Sequence, residues 1–132
     1  ITWTPVNRLY LTANVNFTWD QLATPAYQFV LNSDNNYVNG TIGAGYALAK
    51  KDDIYVDHSF FRAKNYVDNA NLSLPYGVDQ KRQGTYLTWL RRQSDHLLYT
   101  VKYGYVTHRD NTWFGRNNFD AHVIYGRVQY SF

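Results

Sequence analysis

The 132 residues carry 13 Lys and Arg against 10 Asp and Glu, a net charge of +3 with no cationic run, and no cysteine. That balance argues against nucleic acid as a partner, and the missing thiols exclude disulfide scaffolds, thiolate metal sites and thiol catalysis. Aromatics make up 18%, with 13 Tyr and 4 Trp, while no apolar run approaches the ~18 residues of a membrane helix, so any membrane-crossing element must be a strand.

The chain lacks an initiator Met and a signal peptide, so it is expected to be mature, processed or partial. Ile1-Thr2-Trp3 reads as the tail of a strand, and Thr4-Pro5-Val6-Asn7-Arg8 as a turn. From Leu9 to Trp19 the pattern has a two-residue period: Leu9, Leu11, Ala13, Val15, Phe17 and Trp19 on one face, Tyr10, Thr12, Asn14, Asn16 and Thr18 on the other. Those eleven residues match the ~9 to 11 of a tilted membrane strand. Residues 20–36, with Pro25 and an Asn/Asp/Ser cluster, form a long loop with strand extensions.

Tyr37 to Leu48 resumes the alternation, with Ile42 and Tyr46 on the oily face and Asn39 and Thr41 on the polar one. A short turn at residues 49–53 leads to a third strand, in which Ile54, Val56, His58 and Phe60 oppose Tyr55, Asp57, Ser59 and Phe61. Residues 64–83, with Pro75 and Gly77, form a second long loop. The fourth strand, Gly84 to Arg92, sets Leu87 and Trp89 against Thr88. After a turn at residues 92–96 the fifth sets Leu97, Tyr99, Val101, Tyr103 and Tyr105 against Leu98, Thr100 and Lys102. Residues 107–119 form the third long loop. The last strand carries His122, Ile124, Val128, Tyr130 and Phe132 on one face and Tyr125, Arg127 and Gln129 on the other.

The short turns recur. The residues that precede them, 3, 48 and 91, and the final residue, 132, lie 45, 43 and 41 residues apart, each interval holding a strand, a long polar loop and a returning strand. Short turns at one end and long loops at the other is the asymmetry of outer-membrane barrels. A solenoid is the competing repeat architecture, but the strands lack a shared packing face.

The closing residues Val128-Gln129-Tyr130-Ser131-Phe132 resemble the final strand of a Gram-negative outer-membrane β-barrel, which commonly ends on an aromatic. The pattern is similar to porins, including the decahaem-associated type that sheathes multihaem cytochromes. The resemblance implies an all-β fold: an antiparallel transmembrane barrel with short periplasmic turns and long extracellular loops. Six full strands and an amino-terminal stub cannot close a barrel, so residues 1–132 are expected to be the carboxy-terminal part of one barrel domain, its remaining strands being absent from this chain or carried by another.

The expected function is passive diffusion of small solutes through an outer-membrane pore. A sheath for a multihaem electron conduit, whose haems would belong to a lumenal partner, and a TonB-dependent transporter are alternatives, and a soluble β-sandwich adhesin or lectin is the non-membrane one. The polar faces would line the pore: Tyr10, Thr12, Asn14, Asn16, Asn39, Thr41, Asp57, Ser59, Thr88, Thr100, Lys102, Tyr125, Arg127 and Gln129. Lipid would meet Trp3, Leu11, Val15, Phe17, Trp19, Ile42, Tyr46, Phe60, Trp89, Tyr99, Val101, Tyr105, Ile124, Val128, Tyr130 and Phe132, whose aromatics gather towards the two rims as interfacial girdles. Arg62 and Arg91 share that oily parity at the rims, where long side chains snorkel.

Lys102 and Arg127, each five residues from its strand end, are expected at similar height and would make the lumen wall positive. No catalytic, metal or cofactor site is expected. His58, His96, His108 and His122 have no metal-ligand spacing, and Gly40-Thr41-Ile42-Gly43-Ala44-Gly45 lies within an alternating strand, with no helix or Lys after it to make a phosphate loop. His108, Asp110 and Asp120 are the weak enzyme alternative. Partners would be lipid, small solutes, the missing strands, a second copy or a periplasmic or lumenal protein.

Overall fold

In a computed structural model, which describes residues 1–22, 33–67 and 77–132, the chain is all-β, with no helix among the described residues. Nine strands form: β1 (Thr2–Val6), β2 (Leu9–Thr18), β3 (Gln21–Leu22), β4 (Ser33–Asp34), β5 (Tyr37–Ala47), β6 (Asp52–Lys64), β7 (Asp79–Arg92), β8 (Leu97–Asp110) and β9 (Phe119–Tyr130). Seven of them make one antiparallel sheet in the order β1-β2-β5-β6-β7-β8-β9, and β3 pairs with β4 in a small ribbon. The sheet is open: among the described residues β1 and β9 each have a strand on one side only.

The strands β2, β5, β6, β8 and β9 are rich in Val, Ile, Tyr, Thr and Phe, residues that suit a pleated surface. Turn chemistry sets the first reversal, where Arg8 adopts the left-handed region at φ 83°. That turn is tighter than the expected Thr4–Arg8: strand pairing runs on to Val6↔Leu9, and its register shifts between Trp3 and Val6. Pro5 falls in the shifted stretch of an edge strand, where its missing N–H costs the ladder least.

The loops are also shorter than the sequence suggests. The turn placed at residues 49–53 gives up Asp52 and Asp53 to β6. Of residues 64–83, Lys64 belongs to β6 and Asp79–Gln83 to β7, paired as far as Lys64↔Asp79. Of residues 107–119, β8 takes those up to Asp110 and β9 takes Phe119. Side chains at these strand ends, Phe119 apart, are polar on both faces, so the hydropathy period fades while backbone pairing continues. The centres of the first two long loops, with Pro25 and Pro75, lie outside the described residues.

Pairing runs without a slip from β2 to β9, so each cross-strand row stays on one face. One row is Leu11, Ala44, Val56, Leu87, Tyr103 and Ile124; the next, on the other face, is Tyr10, Gly45, Tyr55, Thr88, Lys102 and Tyr125. The sheet is one layer thick. Among the described residues Ala63 is the only buried apolar side chain, while Ile124 is 80% exposed, Val128 66% and Trp3 62%.

Candidate functional site

All fourteen polar-face positions singled out in the sequence share one side of the sheet, and the apolar and aromatic set shares the other. Trp19 and Phe132 lie just beyond their strands, so for them the assignment rests on parity alone. Rows of directly paired residues meet side by side on the sheet, and the polar face therefore gathers hydroxyls, amides and charges, interrupted by Phe61, Leu90, Leu98, Val106 and Val123.

Tyrosines organise its centre. Tyr10 lies over Gly45, its cross-strand partner, and stacks with Tyr55, the next residue of that row, at 5.9 Å between centroids and 10° between planes. The missing side chain at Gly45 makes room for Tyr10, which a Cβ there would displace. Tyr55 extends over Gly43, and its hydroxyl lies 2.7 Å from Thr12 Oγ1. Tyr86 covers Gly104 in the same way.

Charge gathers around Tyr86. The Lys102 ammonium sits 4.1 Å from the centre of the Tyr86 ring and 3.7 Å from Asp57 Oδ1. A cation held between an aromatic face and a carboxylate gains from both, and Asp57 is itself buried. Arg127 differs: it pairs with Thr100, two residues from the level of Lys102, and no carboxylate lies within 4.0 Å of it among the described residues. The two cations are therefore diagonal neighbours rather than level, and Lys102 is already partnered.

Towards the long-loop end a polar depression of about 240 Å³ is lined by Asn14, Asn16, Asn39, Thr41, Ser59 and Arg82. Asn16 Nδ2 donates to Asn39 Oδ1 at 3.1 Å across its floor. Arg82, Tyr55 and Tyr86 were missed as site residues. Arg82 lay in a stretch read as loop, and the tyrosines acquire their role from glycines on neighbouring strands.

The three residues of the weak enzyme alternative are held by separate partners. Asp120 is bound by Arg109 at 2.8 Å, and His108 stacks on Phe119 at 5.2 Å. Asp110, 1% exposed, accepts from Asn117 Nδ2, Thr112 N and Gln80 Nε2, while its own N–H donates to Asn118. It lies at the loop end of β8, and those donors, Asn117 foremost, hold its carboxyl below the usual carboxylate range. Asp110 clamps the β8–β9 turn. The four histidines are equally dispersed: His58 contacts Thr85, His122 contacts Tyr103, His96 contacts the Ser131 carbonyl, and no group of metal-ligating side chains forms among the described residues.

Compared with family models, with curated proteins and with solved structures, the chain gives no significant match in any of the three.

Proposed function

We propose that the chain is part of the wall of an outer-membrane β-barrel that serves as a passive pore. The observation that carries this reading is the two-sidedness of a single-layer sheet. One face exposes Leu, Val, Ile and aromatic rings with no second layer over them among the described residues, and the other exposes Thr, Asn, Tyr and ions. Acyl chains on one side and water on the other satisfy both faces at once.

The register adds independent support. The row from Leu11 to Ile124 does not run parallel to the line of short turns. Leu11 lies 3.5 residues above the centre of the β1–β2 turn, Ala44 and Val56 six above that of β5–β6, and Leu87 and Tyr103 eight above that of β7–β8. The climb is about one residue per strand. With a rise of ~3.4 Å per residue and ~4.8 Å between strands, strands rooted at a common level lean by ~35°, within the range of closed barrels.

Solute would pass along the tyrosine-floored polar face, with strand number setting the width and the loops constricting one mouth. Edge groups left bare in lipid cost roughly several kcal/mol each, so β1 and β9 require further strands from the same polypeptide or another. Heat-dependent mobility on a detergent gel is the test. A folded band that shifts on boiling, together with conductance steps in a planar bilayer, is expected; a protein that stays monodisperse in buffer without detergent sinks the proposal.

A further inference from the structure

Above Phe17, Phe60 and Tyr105 the apolar face changes character. Arg62 on β6 stands directly opposite Lys81 on β7, and Lys81 opposite Arg109 on β8. Lys64, two residues beyond Arg62, faces the same way. Like charges placed opposite one another weaken a sheet, and the carboxylates on this face offset them only in part. Asp79 lies 3.4 Å from Arg62, and Asp120 2.8 Å from Arg109. Four cations against two anions leave a surplus of two, on Lys64 and Lys81, which have no carboxylate within 4.0 Å among the described residues.

Two adjoining depressions open on this face and share Arg62. The first, about 430 Å³, is lined by His58, Phe60, Arg62 and Lys81, and the second, about 260 Å³, by Phe17, Trp19, Val38, Arg62 and Lys64. Each joins aromatic or aliphatic surface to a cation. An amphiphile with an anionic head and apolar tails has the complementary distribution.

The geometry points to this belt as a binding surface for a phosphorylated membrane lipid of net negative charge, its phosphate between Arg62, Lys64 and Lys81 and its tails along Phe17, Val38 and Phe60. The guanidinium fork suits a phosphate, and the two ammonium groups supply charge without demanding a fixed orientation. The site rests on the barrel reading, since a headgroup reaches this height only if the face below it borders acyl chains.

The test uses the complete protein in detergent, equilibrated with equimolar phosphatidylglycerol and phosphatidylcholine and read by native mass spectrometry. Retained phosphatidylglycerol should exceed phosphatidylcholine, and Lys64→Gln/Lys81→Gln should lower that excess about fivefold for each lysine removed. Lys50→Gln/Lys51→Gln, at the opposite rim, should leave it unchanged. Equal retention of both lipids by a protein that still shows heat-dependent mobility overturns the lipid site and leaves the barrel standing; a protein that needs no detergent overturns both. An excess that survives in the Lys64/Lys81 variant, falls equally in the Lys50/Lys51 variant, or is abolished by millimolar inorganic phosphate also overturns it, the last by exposing a site for free anions.

Discussion

At the scale of single residues the sheet depends on what is absent as much as on what is present. A Cβ at Gly104 would enter the space of the Tyr86 ring, which carries the Lys102 ammonium. Gly104→Ala should therefore destabilise the fold by about 1–3 kcal/mol through overpacking. In a Tyr86→Ala background the same change should be nearly neutral, and a double-mutant cycle by urea unfolding in lipid measures the coupling. Asp110 makes a second residue-scale case. Its carboxyl titrates lower folded than unfolded, so its contribution is fully present above the unfolded value of 3.8 and is lost as pH falls through the folded one. The Thr112 amide shift should titrate with a midpoint below 3.8, and Asp110→Asn should remove that titration while costing about 1–3 kcal/mol in poorly satisfied donors.

At the scale of strands, the alternation was legible because a ribbon with unlike environments on its two sides must sort its side chains with a period of two. Leu9 to Phe17 announces that period unmistakably, and the register places the apolar alternation of β5 to β9 on the same side. Strand ends were illegible for the complementary reason: Asp79 to Gln83 is polar on both sides, so only its pairing to β6 and β8 marks it as strand. Cross-strand relations were hidden too. Neither the cover of Gly45 by Tyr10 nor the row Arg62, Lys81, Arg109 follows from linear spacing, because the intervening loops set which residues meet. The face assignment makes an element-level prediction. Leu87→Arg, central on the apolar side, should cost about 2–4 kcal/mol of folding free energy in bilayers, whereas Asn14→Arg on the polar side should cost little. Equal penalties for the two substitutions would count against a lipid-facing side.

For the whole molecule, the electrostatics of the polar face centre on Arg127 and Arg82 rather than on Lys102, whose charge Asp57 already offsets. If the polar face lines a pore, permeation under a salt gradient should favour anions slightly, and Arg127→Glu should move the reversal potential towards cation preference. Asp57→Asn, by freeing Lys102, should move it the other way; an identical potential in both variants removes the idea that these side chains border the permeation path.

The one-residue climb per strand also bears on calibre. Strands leaning by ~35° and spaced ~4.8 Å apart each occupy about 6 Å of circumference, so every added hairpin widens a closed cylinder by roughly 4 Å in diameter. In such a cylinder seven strands account for about 40 Å of girth, and the outer dimension of a barrel particle, seen by electron microscopy, would give its total strand number.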